Sequence, residues 1–461
     1  MSSETAETKR SISIGVVIIL LASIIVLSIV IMRPLGVADG GNLYQMMERN
    51  GLYYSETPTL DYISTTVMID PSIKPTPTNL HDTFVVTNRT ISRFLGWDAI
   101  STKVLAVEYG VLLVVSLIMI YLGGRRLKYG WTNYLLIGLL CMVFLDFSYM
   151  LYVNTLYPEA LYMVMLLLCV GLRMNYDRNR SIFKLIFMIL GIVLMIWVGT
   201  TMAIVTAIVM ALSLVGKFRE GDKLYLATTL IALAVAVFGF FWGVKYQDPQ
   251  YKQNIYNSVF FGVLNHTSAE DVGLSSELNR LKGVFYTPET AIEYDLDNKF
   301  YSKISYSDIG IFYLTHPGAL IKELSFSGRN SRDISMYQAG SYEKASGKLP
   351  GEKADEFTIY SSIKKLFLVG SMWLICVAII VFLVFAFMNQ GRIKLQMIGL
   401  SFANLVTFIL PVILCGRVDI GKNMIMYNVL FDILIVFACI GGLRMILQRG
   451  DTLREKYGVE Q

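Results

Sequence analysis

From Ile12 to Met32 the chain runs for 21 residues without a single charge. A helix needs about 20 apolar residues to cross the hydrocarbon of a bilayer, so this run predicts a membrane span around which the rest must fold. No small-residue cleavage site precedes Arg33, which predicts a retained anchor rather than a removed signal. Seven residues beyond Met32 stands Asp39, a carboxylate held where the first helix meets water.

Similar runs at about 104–124, 131–152, 157–173, 181–197, 199–216, 224–244, 364–388, 395–415 and 423–443 predict an all-α polytopic membrane protein with about ten spans. The stretch from Ser181 to Val215 is too long for one helix, and Gly199 with Thr200 and Thr201 supplies a break, so it reads as a hairpin. With 54% of residues apolar and 16% charged, most of the chain belongs in lipid. A net charge of +5 is too small to argue for nucleic acid. All five cysteines fall in or beside apolar runs, where a thiol is a small hydrophobe, so neither a disulfide framework nor a metal cluster is indicated.

Basic residues set orientation. Lys9 and Arg10, Arg125, Arg126 and Lys128, Arg173, Arg178 and Arg180, Lys217 and Arg219, Arg392 and Lys394, and Arg444 and Arg449 all fall on one side of a ten-span chain. That side is expected to be cytoplasmic, with both termini on it. Two long polar segments, 33–103 and 245–363, then face outward. The chain divides accordingly into an N-terminal membrane module (1–244), a second extracytoplasmic loop (245–363) and a C-terminal three-helix module (364–461). Tyr313 to Phe326, with Leu320, Ile321 and Leu324 on one face, is expected to lie along the membrane surface, and 341–356 to be a mobile connection. His81 and His266 read as exposed loop residues, and His316 before Pro317 as a helix-entry residue. No internal repeat suggests the paired halves of a secondary transporter.

Charges within or at the ends of spans are functional candidates because they are costly unless they meet a partner or a cavity. Asp39, Asp146, Glu159, Asp419 and Asp432 qualify, and the first four gather near the outward side. Bland roles compete. Glu159 after Pro158 suits the first turn of a helix, and Asp146 and Asp432 can satisfy hydroxyls or a lysine within the bundle. Asp39 differs: Gly40 and Gly41 follow it, letting the backbone turn and a ligand approach, with no packing motive for such a break.

Ala38-Asp39-Gly40-Gly41-Asn42-Leu43-Tyr44-Gln45-Met46-Met47, followed by Asn50-Gly51-Leu52, resembles the first outer loop of the bacterial WsfD-like hexosyltransferases, membrane enzymes of the GT-C class that build surface glycans. Asp146-Phe147-Ser148-Tyr149 through Tyr152-Val153-Asn154-Thr155-Leu156-Tyr157-Pro158-Glu159 looks like that family's signature between the third and fourth spans. Tyr256 to Leu264 and Phe312 to Gly318 resemble its second large loop. Two positions depart: Asn42 stands where a second acid is frequent, and Lys422-Asn423 where a basic residue and a histidine are expected.

The resemblance implies a GT-C-like bundle with two long extracytoplasmic loops. It also implies a transferase that moves a hexose from a polyprenyl-phosphate carrier to a glycan or lipid-linked glycan acceptor, inverting the anomeric carbon. Asp39 is the expected general base, with Glu159 and Asp146 as further catalytic candidates. Asn42, Tyr44, Asn154, Tyr157, Arg329, Arg332, Asp419 and Lys422 are candidates for carrier or substrate binding. The leaving phosphate departs as an anion and calls for cationic or N–H donors, among which Lys103 and Lys322 also stand. No cofactor is required, and a loosely held divalent cation on carboxylates stays open. A transporter or flippase of lipid-linked sugars is the alternative reading.

Overall fold

The computed structural model describes residues 2–40, 43–126, 128–179, 181–198, 249–330, 339–367, 372–388 and 391–457, with isolated positions between 205 and 238 and at 334. In chain order its elements are α1 (Ser2–Met32), β1 (Leu35–Val37), α2 (Tyr44–Arg49), β2 (Leu52–Tyr53), β3 (Thr66–Ile69), α3 (Leu80–Phe94), β4 (Ala99–Ser101), α4 (Thr102–Gly124), α5 (Trp131–Phe144), α6 (Phe147–Met150), α7 (Glu159–Arg178) and α8 (Ile182–Val198). After the described positions resume come α9 (Pro249–Phe260), α10 (Pro288–Glu293), α11 (Tyr306–Thr315), α12 (Pro317–Asn330), β5 (Ala339–Tyr342), α13 (Ile359–Phe367), α14 (Met372–Met388), α15 (Gly391–Cys415), α16 (Ile420–Asn423) and α17 (Ile425–Tyr457).

The protein is a helical membrane protein. Among the described residues, five helices are long and apolar enough to cross a bilayer, the pair α13 and α14 makes a sixth if it is one span, and α5 and α8 are shorter apolar helices. The expected spans over 199–216 and 224–244, the break at Gly199 to Thr201 and the boundary at 244 fall outside the described residues, apart from isolated positions. Two expected spans are shorter than the apolar runs suggest. The 131–152 run stops as a helix at Phe144 because Asp146 turns extended and caps α6, accepting from the Ser148 amide at 2.9 Å. The 364–388 run is divided between α13 and α14.

Small residues set the helix spacing. A side chain at Gly110 would meet Leu27, and one at Gly15 would meet Tyr121, so α1 and α4 run antiparallel in close contact. Ser116 donates to the Val164 carbonyl at 3.2 Å, and Gly171 abuts Met119, so α7 runs parallel to α4. At one end of the bundle Arg444 binds the Gly124 carbonyl, Thr132 and Asn133 at 2.8–3.0 Å, Arg178 binds the Leu122 and Arg125 carbonyls, and Lys128 pairs with Asp451 at 2.9 Å. Asp39, Glu159 and the turn before α16 lie at the opposite end, where α1 stops, α7 starts and α15 finishes.

The two long segments meet rather than act apart. β1 pairs antiparallel with β5, Leu35 opposite Tyr342 and Gly36 opposite Ser341, while β2, β3 and β4 form a second antiparallel sheet. The expected mobile connection at 341–356 is therefore partly an ordered strand, because β1 offers its backbone groups a ladder that its polar composition conceals. α9 to α12 enclose a core of their own, with Tyr256 and Phe300 flanking Phe260 at ring distances of 4.4 and 5.1 Å. The expected surface helix at 313–326 is interrupted, since α11 ends at Thr315, His316 caps it and Pro317 starts α12.

Both histidines expected in exposed loops have partners. His266 bonds Glu323 at 2.6 Å. His81 lies in α3, 1% exposed, between the Tyr109 hydroxyl and the Leu156 carbonyl, each at 2.8 Å. A carbonyl only accepts, so Nε2 carries the proton and Nδ1 accepts from Tyr109. Burial pushes His81 down to about 4, against the opposing pull of the Asp82 charge. The unfolded chain therefore binds one more proton between the folded value and the ordinary 6.5. Stability is full above pH 6.5 and falls as pH drops toward 4, by on the order of 3 kcal/mol. Thermal melting of the wild type is expected to weaken over that window, and His81→Gln to flatten the dependence; equal slopes would refute the assignment.

Candidate active site

Asp39 lies two residues past the end of β1, so the strand that joins the two long segments also positions the acid. A side chain at Gly36 would lie 2.7 Å from the Asn154 carbonyl, which is how closely the 151–157 segment packs on β1. Asn154 fixes that packing, donating to the Leu35 carbonyl at 3.0 Å and accepting from Thr102 at 2.8 Å. Both contacts are internal, and Asn154 is 1% exposed.

Asp39 is 6% exposed, and its carboxylate accepts from two phenols. Tyr54 donates to Oδ2 at 3.1 Å and Tyr157 to Oδ1 at 3.3 Å. Burial first, and then the adjacent Asp39 charge, push the Tyr54 hydroxyl well above its ordinary value, so it stays protonated and keeps donating. Leu60 packs on Gly40, and the 54–60 segment thereby closes over the acid.

Over the ring of Tyr157 stands Lys422, its ammonium 4.9 Å from the centroid. The same nitrogen is 3.7 Å from Glu159, which is 3% exposed. Among the described residues Glu159 Oε2 has no hydrogen-bond partner, and a buried acceptor left open is expensive, so it marks a position a ligand donor can fill. Glu159 still serves in the first turn of α7. Asp419 begins the α16 turn with φ of 48°, a left-handed backbone that aspartate tolerates, and its side chain is exposed. Gly416, also left-handed at φ of 58°, lets this turn sit against the backbone of Asn257 and Gly262.

Asp39, Tyr157, Glu159, Lys422 and Asp419 are thus brought to one end of the bundle from three distant parts of the sequence. The other candidates have separate surroundings. Asp146 caps α6 and accepts from the Ser361 amide at 3.0 Å and hydroxyl at 3.2 Å. Tyr44 is 65% exposed, Arg329 and Lys322 lie exposed on α12, and Lys103 is half-buried at the start of α4. Asn42 and Arg332 fall outside the described residues. Among the described residues no group of three His, Cys, Asp or Glu side chains is placed to hold a metal.

Tyr54 escapes a sequence reading because nothing but the fold carries it 15 residues back to Asp39. Arg417 escapes too: it pairs through two nitrogens with Glu323 at 2.8 and 2.9 Å, stacks on Phe326 at 4.7 Å, and shares that carboxylate with His266. This trio ties α12 to the turn that carries Lys422. The pattern Arg417, Asp419, Lys422 in one short turn is the only sequence signal for it.

Residues 3–458 match the family described as the YfdI N-terminal transmembrane domain. The chain belongs to that family. This YfdI-type domain is similar in structure to the archaeal oligosaccharyltransferase AglB from Archaeoglobus fulgidus, solved with an inhibitory peptide and a dolichol-phosphate, at 12% identity and a TM-score of 0.41. The likeness covers 97% of this chain and 52% of AglB, so the chain spans about half the length of that enzyme. At that distance it carries no residue roles across. No curated protein matches the YfdI-type chain at a significant level.

Proposed function

We propose that this YfdI-type domain is a lipid-carrier-dependent glycosyltransferase of the GT-C class, close in activity to the WsfD-like hexosyltransferases. It moves a hexose from a polyprenyl-phosphate donor to a cell-surface glycan acceptor on the outer face, inverting the anomeric centre. The observation that carries this reading is that Tyr157 meets both groups, Asp39 at its hydroxyl and Lys422 over its ring. One supplies a base, the other a cation.

In the proposed step an acceptor hydroxyl loses its proton to Asp39 while its oxygen forms a bond to the anomeric carbon. The bond from that carbon to the phosphate oxygen breaks, and the phosphate leaves as an anion beside Lys422. General-base assistance is worth roughly 10²–10⁴-fold in rate, and a fixed counter-charge roughly 10²–10³-fold. Glu159 holds Lys422 in place and offers its open oxygen to a sugar hydroxyl. Entry of the acceptor requires the 54–60 segment to lift from Asp39.

The arginine-rich end of the bundle, with both ends of the described chain, is assigned to the cytoplasm, which puts Asp39 outside. Membrane vesicles loaded with a radiolabelled polyprenyl-phosphate hexose test both claims together. Right-side-out vesicles are expected to glycosylate acceptor added from outside, inverted ones to fail, and Lys422→Gln to transfer about 10²-fold more slowly. Transfer by inverted vesicles alone would reverse the assigned sidedness, and an unaffected Lys422→Gln would remove the cation from the mechanism. Full inhibition by a chelator, reversed by a divalent ion, would favour a metal-assisted departure of the phosphate instead.

A further inference from the structure

A groove of about 390 Å³ opens at the arginine-rich end, between the last turns of α4 and α7 and the first turn of α8. Its mouth is lined by Arg125, Arg178 and Lys184, with no acid among the lining residues. Its walls are hydrocarbon: Met119, Leu172 and Phe187, the last 57% exposed on a helix whose neighbours Phe183 and Ile186 are 72% and 53% exposed. Three cations thus stand over an apolar slot at the level where spans meet water.

The helix ends would ordinarily repel an anion, because terminal carbonyls carry partial negative charge. Here they are already occupied. Arg178 Nη1 donates to the Leu122 and Arg125 carbonyls at 3.0 and 2.8 Å, and Asn175 Nδ2 to the Met119 carbonyl at 2.6 Å. Arg125 Nε, by contrast, is buried without a hydrogen-bond partner among the described residues, and Lys184 has only a 3.4 Å contact to the Asn175 carbonyl. The groove therefore holds positive charge in excess of its internal acceptors.

We infer that this groove binds an anionic phospholipid, with its phosphodiester between Arg125 and Lys184 and an acyl chain along Leu172 and Phe187. Charge complementarity and the amphiphilic layering select that occupant. The site is separate from the proposed transfer site, which lies at the other end of the bundle, so it concerns a structural lipid of the opposite leaflet.

The test uses the full chain, delipidated in neutral detergent, with phosphatidylglycerol or phosphatidylcholine of the same acyl chains added back. Phosphatidylglycerol is expected to raise the melting temperature by about 3 °C over phosphatidylcholine. Arg125→Gln combined with Lys184→Gln should abolish that increment, while a control pair on exposed loop positions, Lys282→Gln with Lys303→Gln, should retain it. Lys184→Gln alone, which removes a single long contact, gives a partial loss and guards against a misfolded double variant. Equal melting in both lipids, or an equal loss in the control pair, overturns the inference. So does a larger shift with a polyprenyl monophosphate that the same substitutions cancel, since the groove would then belong to the carrier.

Discussion

Asp39→Asn is expected to lower the rate of sugar transfer by about 10²–10⁴-fold, the usual contribution of a positioned general base. The fold is expected to survive. Asparagine has the shape of aspartate, its carbonyl accepts from one of the two tyrosines, and its amide donates to the oxygen of the other. The comparison is made on purified protein with polyprenyl-phosphate hexose, under single-turnover conditions that isolate the transfer step from carrier release. Melting temperature is read on the same samples. A variant that melts like the wild type and transfers at full rate would end the case for Asp39 as base. Tyr54→Phe refines the result: it removes one donor to the carboxylate while leaving Tyr157 in place, so it should slow transfer less than Asp39→Asn does.

Asp432→Leu is expected to destabilise the bundle by on the order of 3–5 kcal/mol, the cost of stranding a buried charge. Lys364 and Asp432 have side chains 2% and 0% exposed and meet at 2.7 Å. Tyr149 and Tyr360 donate to the same carboxylate at 2.5 and 2.6 Å, and Lys364 also reaches Asn428 at 2.8 Å. Deleting the acid leaves two buried phenols without that acceptor and a buried ammonium without its counter-charge. Lys364→Met combined with Asp432→Leu should recover most of the loss, because the pair's desolvation cost disappears with the pair. Thermal unfolding in detergent decides the matter: a double variant as unstable as the single one would mean that the tyrosines, not the ion pair, carry the effect. The same cluster bears on the transporter reading. A flippase needs its mid-membrane charges to meet passing cargo, whereas this carboxylate is held by three side chains, Tyr149 of α6 and Tyr360 and Lys364 of α13, which tie both helices to α17.

What was legible in the sequence was whatever the bilayer imposes locally. Uninterrupted apolar runs announced α1, α4, α7, α15 and α17, because in hydrocarbon a span must satisfy its own backbone and so must be a helix of fixed minimum length. Basic residues at span ends marked one end of the bundle, and Arg125, Lys128, Arg178 and Arg444 do gather there. Asp39 stood out because an acid followed by two glycines beside a span has no packing reason to exist.

What composition concealed was every feature made by distant segments. The polar stretch at 341–356 looked unable to order itself, yet β1 supplies the missing half of its ladder. His81 looked exposed because its polar neighbours in sequence are not its neighbours in space. The partner of Asp432 was likewise invisible, since Lys364 lies 68 residues away on an element whose own apolar pattern predicts a plain span.

Sequence alone determined that this is a helical membrane protein, roughly where its spans run, and that a carboxylate waits beyond the first of them, because each follows from the cost of placing polar groups in lipid. Only the tertiary structure decided that Tyr54 and Tyr157 hold that carboxylate and that Lys422 lies over the Tyr157 ring beside Glu159. Those contacts join residues far apart in the chain, and long-range packing, unlike burial in a bilayer, leaves no periodic trace in a sequence.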